Sequence, residues 1–274
     1  MIPLELLALL AALGAGVFGA LAGIGGGIIV VPLLAVGLGV PLHNAIAVSL
    51  LGVIAVSTTA SANYLEAGLV SRTIGLTLLV STTLGGIVGG FVAGLVDARV
   101  LAALFGIVLA AVALRMFFGR EPVEPETIDN PGPREFDATY IEPRTGKEVA
   151  YRVRNLGIGS VLSVFAGLLS GLLGVGGGIV NVPTMNSLMG VPIRVATTTS
   201  TYMLGATAVA SAVLYFSRGE VEPALAGAVV IGSVIGGRIG ARLQHQLPQR
   251  ALVLIFVAIA AFFAFQMLLK ATAA

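Results

Sequence analysis

The 274-residue chain contains no cysteine, and its only histidines are His43 and His245. Thiol chemistry is therefore excluded, and zinc, haem and iron–sulfur centres have almost no candidate ligands. We expect no metal site and no cofactor. Charge is also scarce, because charged residues make up 10% of the chain and the formal net charge is +2. A net charge this small does not indicate a nucleic-acid partner.

Hydrophobic side chains, by contrast, make up 57% of the chain. A globule of this length would lack the polar residues needed to cover its surface, so we expect a multi-pass protein of the cell membrane, the inner membrane in a bacterium. Most of its apolar stretches reach the ~20 residues that a spanning helix requires, but the second stretch of each half does not. The stretches are 4–22, 27–40, 44–63, 72–95, 99–118, 155–173, 178–191, 195–216, 222–243 and 249–269.

The chain is a duplicated unit. The run Gly23-Ile24-Gly25-Gly26-Gly27 recurs as Gly174-Val175-Gly176-Gly177-Gly178, and the same offset relates Pro32 to Pro183, Ser49 to Ser200 and Tyr64 to Tyr215. A period held over about 100 residues indicates two homologous halves. We therefore predict an all-α polytopic membrane protein with about five membrane segments in each half. Residues 1–118 form the first half, 119–153 a polar linker and 154–274 the second half.

The linker breaks the apolar pattern and holds eight of the thirteen acidic residues within 119–154. Its later part, 138–141 and 149–153, reads as two short strands around a glycine-containing turn. Because two isolated strands are marginal in water, we expect this hairpin to lie outside the membrane and to pack on the membrane domain or on a second copy of the chain. A disordered loop is the alternative.

Positive charge distinguishes two topologies. If each half crosses five times, twelve of the fifteen Lys and Arg residues share the linker side, against ten if each half crosses four times. The ten-segment arrangement puts the larger excess of Lys and Arg on one side of the membrane, and the linker on that side is then predicted to be cytoplasmic. An odd number per half also inverts the second repeat, as in many secondary transporters that work by alternating access.

The glycine runs break the helices inside apolar sequence. Lipid cannot hydrogen-bond the freed backbone groups, so each break must lie within protein or beside a watery cavity. The helices that restart there present unpaired N–H groups, which attract anions. We therefore predict a substrate site at two sets of glycines, with plain close packing of helices as the alternative. The candidates are Gly25, Gly26 and Gly27, with Gly176, Gly177 and Gly178.

Polar side chains near these breaks complete the candidate site. Thr197 and Ser200 can share one helical face, and Ser49 is the counterpart of Ser200. Their hydroxyls and the Asn181 amide could donate to an oxyanion, unless the hydroxyls bond back to their own helices. Arg194 could attract an anion or could snorkel at the interface. No acidic residue falls at mid-membrane, so we do not expect a buried proton relay.

The paired G-x-G-G-G-x-x-x-x-P loops, each followed by a Gly-Val-Pro turn, a Ser/Thr-containing helix and a Gly-Gly helix, resemble the sulfite exporter TauE/SafE family. The resemblance covers both halves without the linker. It implies a permease for small sulfur-containing anions such as sulfite and sulfonates, and it places the family's loops on 23–32 and 174–183.

The sequence therefore predicts a secondary transporter that works by alternating access, with no catalytic residue. No nucleotide-binding loop is present. An anion channel is the main alternative, and an intramembrane enzyme is less favoured because neither histidine has an evident serine and acid partner. The expected partners are the anionic substrate, the lipid bilayer and, as one candidate, a second copy of the chain.

Overall fold

The computed structural model describes residues 3–118, 138–141, 146, 148–243 and 249–273. Each half contributes five α-helices, so the prediction of an all-α polytopic fold with about five segments per half is confirmed. The first five are α1 (Leu4–Ala22), α2 (Gly27–Pro32), α3 (Leu42–Glu66), α4 (Arg72–Ala93) and α5 (Ala98–Phe118). The second five are α6 (Leu156–Leu173), α7 (Gly178–Pro183), α8 (Ile193–Ser217), α9 (Pro223–Leu243) and α10 (Gln249–Ala273).

The second helix of each half is short and changes its winding. α2 ends at Pro32 and continues as a π-helical turn, Leu33–Gly37, and α7 ends at Pro183 and continues as Thr184–Leu188. Proline lacks an N–H and crowds the preceding turn, so the wider winding follows from its position. Each combined segment has a length of roughly 16 Å at the usual helical rise, about half of the bilayer's hydrocarbon core.

Six described helices are long and apolar enough to cross a bilayer, which confirms a multi-pass membrane location. They are α1, α3, α4, α5 up to Arg115, α6 and α9. α8 is as long as α3, but its hydroxyl run 197–201 makes it less apolar. In α10 the described apolar part is the shorter stretch Val257–Thr272.

Glycine contacts fix the directions of four helices. Three glycines of α9, one turn apart, face three successive turns of α1, so these two helices run parallel. The facing pairs are Gly232 with Leu9, Gly236 with Leu13 and Gly240 with Val17. In the repeat-related pair, Gly85 and Gly89 of α4 face Val164 and Leu168 of α6 in the same way. Small residues let these backbones approach closely, which stabilises helix pairs in lipid.

The remaining long helices pack in repeat-related pairs. α3 and α8 cross at the centre in opposite directions: Ser57, midway along α3, bonds the backbone of Thr201 and Gly205, and the turn after α3 meets the start of α8 through the Thr198–Leu69 bond. α5 and α10 pack on each other at the flank. Short turns reverse the chain between α3 and α4 and between α8 and α9. It follows that α1 and α6 run in opposite directions.

The predicted hairpin is confirmed within the described residues. β1 (Ala138–Ile141) pairs antiparallel with β2 (Glu148–Tyr151), with Ala138 opposite Tyr151. The second strand starts one residue earlier and ends two residues earlier than predicted. Tyr140 and Tyr151 are buried in one apolar cluster with Leu69, Met189 and further residues of α4 and α8. The hairpin therefore packs on the membrane domain, and we call this end of the helices the linker side. Residues 119–137 lie outside the described part of the chain.

Candidate functional site

Each glycine break is a tight reversal of the chain. α1 ends at Gly23, whose φ of 72° is left-handed, and Gly25 and Gly26 follow with φ values of 82° and 83°. The second loop repeats these values at Gly174, Gly176 and Gly177. Glycine adopts this region without the steric penalty that other residues meet. We call 23–27 the first glycine loop and 174–178 the second.

Both loops fold back onto the helices that lead into them. A methyl group added at Gly26 would lie 2.6 Å from the carbonyl oxygen of Ala15, and one added at Gly177 would lie 2.7 Å from that of Ala166. α1 with α2, and α6 with α7, therefore form helical hairpins with glycine tips. Each tip lies inside protein, as the sequence predicted for breaks that lipid cannot hydrogen-bond.

The two loops meet each other at the centre of the molecule. The Ser49 hydroxyl donates to the carbonyl of Gly174 at 2.9 Å, and the Ser200 hydroxyl donates to the carbonyl of Gly23 at 3.0 Å. A methyl group added at Gly27 would lie 2.1 Å from the Gly174 carbonyl oxygen. Both serines are fully buried. The structure thus brings the predicted glycines of both halves together with Ser49 and Ser200.

The structure gives these hydroxyls protein partners. The protons of Ser49 and Ser200 are donated to loop carbonyls, and Thr197 donates to Ile193 in its own helix at 2.8 Å. The immediate role of both serines is therefore to hold one half's helix against the other half's loop. Arg194 is half-buried in the first turn of α8, one turn before Thr198.

We call the helical hairpin of α1 and α2 the first hairpin and that of α6 and α7 the second hairpin. Asn181 lies deep in the second hairpin, with 1% of its surface exposed. Its amide oxygen accepts a hydrogen bond from the Ser163 hydroxyl at 3.1 Å. Ser170 also lies in this hairpin, against Gly177 of the second loop. The Ser170 hydroxyl is fully buried and has no hydrogen-bond partner among the described residues. Burying a hydroxyl without a hydrogen-bond partner costs free energy. The Ser170 hydroxyl is therefore a donor that is available to a further acceptor.

Sequence reasoning missed Ser163 and Ser170, although the repeat contained a signal for them. Polar residues of the second hairpin occupy positions that are apolar in the first hairpin. The pairs are Ser163 with Ala12, Ser170 with Gly19, Asn181 with Val30, Thr184 with Leu33 and Asn186 with Ala35. The backbones of the two glycine loops are therefore alike, but the side chains around them differ. Neutral polar side chains lie mainly around the second loop.

Coverage by neighbouring helices is asymmetric as well. All of α2 is buried, and Lys270 of α10 donates to the carbonyl of Ala35 in the π-helical turn that follows. In α7, by contrast, Ile179, Val180 and Pro183 are half-buried. The second hairpin is thus the more accessible of the two. No group of His, Cys, Asp and Glu among the described residues could hold a metal ion.

Comparison with known proteins agrees with this architecture. A family model described as "Sulfite exporter TauE/SafE" matches residues 8–267. The probable membrane transporter protein YunE of Bacillus subtilis is 28% identical over 249 residues, which cover 88% of this chain and 89% of that protein. A probable membrane transporter protein of Xylella fastidiosa is 28% identical over 250 residues, covering 88% and 87% of the two chains. No solved structure gives a significant match. A family match over nearly the whole length, on a polytopic fold with two glycine-tipped hairpins, shows that the chain belongs to the sulfite exporter TauE/SafE family of membrane transporters.

Proposed function

We propose that this transporter carries a small sulfur-containing anion, such as sulfite or a sulfonate, by alternating access around the two glycine loops. The observation that carries the proposal is the meeting of the loops at a buried centre, held by the Ser49–Gly174 and Ser200–Gly23 hydrogen bonds. A centre built equally from both halves can open toward either side when the halves rock against each other.

The helix directions support inverted repeats. α1 runs parallel to α9 and opposite to α6, its own counterpart in the other half. We infer that the halves are related by a pseudo-two-fold axis in the membrane plane, close to the contact of the two loops. In such an arrangement the two halves can exchange conformations. The state open to one side of the membrane and the state open to the other side then have similar energies.

The second hairpin is the part of the centre that we propose contacts the anion. Its donors are the Asn181 amide, the Ser170 hydroxyl and backbone N–H groups at Gly176, Gly177 and Gly178. Three oxygens on one sulfur need several converging donors. Neutral donors bind an anion less strongly than a buried fixed positive charge does. Ser49, Thr197 and Ser200 border the site with Gly25, Gly26 and Gly27 of the first loop, and Arg194 contributes positive potential from the start of α8. No catalytic step is needed for this function.

Flux into proteoliposomes tests the proposal. Vesicles loaded with unlabelled sulfite or sulfoacetate are diluted into the same ³⁵S-labelled anion, and we expect saturable uptake that is faster than into vesicles without internal anion. Such counterflow requires one site that faces each side in turn. Non-saturable flux without counterflow would mean a channel, and saturable flux of an anion without sulfur would make the substrate class wrong.

A matched pair of variants locates the site. We expect Asn181→Ala to raise the anion concentration at half-maximal flux by about tenfold or more, because a hydrogen bond to a charged ligand is lost. The control is Asn63→Ala, since the Asn63 side-chain amide donates to the Thr59 carbonyl of its own helix. Equal effects of both changes on half-saturation would remove Asn181 from the proposed site.

A further inference from the structure

A cavity lies beneath the β-hairpin on the linker side, and no glycine-loop residue is among its described lining residues. The cavity has a volume of about 180 Å³, room for a sulfate-sized group and several waters. Its walls come from the α3–α4 turn, the first turn of α4, the hairpin and α8. The lining residues are Gly68, Leu69, Val70, Ser71, Arg72, Thr73, Ala138, Thr139, Tyr140, Tyr151 and Val195.

The walls of this cavity are fixed by hydrogen bonds. The Ser71 N–H donates to the Thr199 hydroxyl at 3.0 Å, and the Thr198 hydroxyl donates to the Leu69 carbonyl at 2.6 Å. On the hairpin, Tyr151 is 1% exposed and its hydroxyl is hydrogen-bonded to Ser71. The cavity is therefore a preformed space that joins both halves and the linker.

The charge in the cavity has one sign. Arg72 lines the cavity, and no acidic residue is present among the described lining residues. Ser71, Thr73 and Thr139 also line it, and Arg72, Thr73 and Thr139 are exposed. α4 begins at Arg72 without a side-chain cap, so its first-turn N–H groups add partial positive charge. Burial raises the pKa of Tyr151, which keeps its hydroxyl protonated at neutral pH.

We propose that this cavity binds a small oxyanion group through Arg72 and the surrounding hydroxyls. Two sources offer the same chemistry: a free anion such as sulfate, and the phosphate of an anionic lipid, since Arg72 starts a helix that enters the membrane. A guanidinium matches the geometry of either group with paired N–H donors. The site is distinct from the loop centre and does not depend on which anion is transported.

The absence of native cysteine allows a direct test by thiol protection. Ala138→Cys places one thiol in the cavity wall without removing a polar group. The protein is reconstituted in phosphatidylcholine nanodiscs, and the rate of modification by a neutral methanethiosulfonate is measured in sodium sulfate and in sodium chloride at equal ionic strength. We expect sulfate to slow the reaction several-fold. Slowing in nanodiscs that contain phosphatidylglycerol, without sulfate, would identify the lipid phosphate as the occupant.

The charge variant decides whether Arg72 holds the group. Adding Arg72→Gln to the cysteine variant should raise the sulfate concentration for half-maximal protection by about tenfold or more. The control adds Arg99→Gln to the cysteine variant. Arg99 also lies in the first turn of a helix, α5, but it does not line the cavity. Protection by neither sulfate nor anionic lipid, or equal protection in the Arg72→Gln and Arg99→Gln proteins, would overturn the proposal.

Discussion

The Ser49 hydroxyl donates to the carbonyl of Gly174 at 2.9 Å, so a helix of the first half holds the glycine loop of the second. The repeat reproduces this bond between Ser200 and Gly23 at 3.0 Å. Two buried hydrogen bonds that each cross from one half to the other couple the halves at their centre. A movement that separates α3 from the second glycine loop, or α8 from the first, must break these bonds.

Ser49→Ala and Ser200→Ala should each lower the free energy of unfolding by about 1 to 3 kcal/mol, because each leaves a buried carbonyl without its donor. Thermal unfolding of the purified protein in detergent measures the loss. Ser217→Ala is the control, since Ser217 is exposed and bonds Leu214 of its own helix. If all three variants unfold at the same temperature, the bonds between the halves contribute no net stability.

Gly27→Ala should disrupt the contact between the loops, although Gly27 has a backbone conformation that alanine accepts. The added methyl group would lie 2.1 Å from the Gly174 carbonyl oxygen, and relieving such an overlap costs about 1 to 3 kcal/mol or more. We expect lost transport and a lower unfolding temperature. Gly14→Ala is the control, because nothing lies within 4 Å of its added methyl group. Wild-type transport by Gly27→Ala would contradict the close contact.

Ser170→Ala should separate stability from ligand binding. Because the hydroxyl has no partner among the described residues, its removal should leave the unfolding temperature unchanged or slightly raised. The same change should reduce the stabilisation that the anion gives, as measured by unfolding with and without ligand. A large loss of stability without ligand would show that the hydroxyl has a structural partner, such as a water molecule.

Single cysteines test the topology. Glu66 ends α3 on the linker side, and Asp97 precedes α5 at the opposite end of α4. In intact cells a membrane-impermeant maleimide should label Asp97→Cys and should label Glu66→Cys only after the cells are opened, because the excess of Lys and Arg that the sequence assigns to the linker side predicts a cytoplasmic location for that side. Labelling of both from outside would make the proposed arrangement of segments wrong.

The sequence predicted the candidate centre better than it predicted the roles of single side chains. Gly25 and Gly176 could be found because a broken helix has no stable place in lipid. Ser49 and Ser200 were found through the repeat, but a hydroxyl's partner depends on which backbone comes within 3 Å of it. Ser170 was overlooked because its contrast with Gly19, the matching position of the first half, is visible only when the two halves are compared residue by residue.

Sequence by itself determined the membrane class, the duplication, the positions of the helix breaks and the hairpin in the linker. Each of these follows from composition or from local backbone preference, which neighbouring residues along the chain decide. Tertiary structure alone decided that the two loops interlock, that polar groups gather at the second hairpin and that a cavity forms around Arg72. The loop contact and the cavity join residues more than 100 positions apart, such as Ser71 and Thr199, and their contacts depend on how whole helices pack.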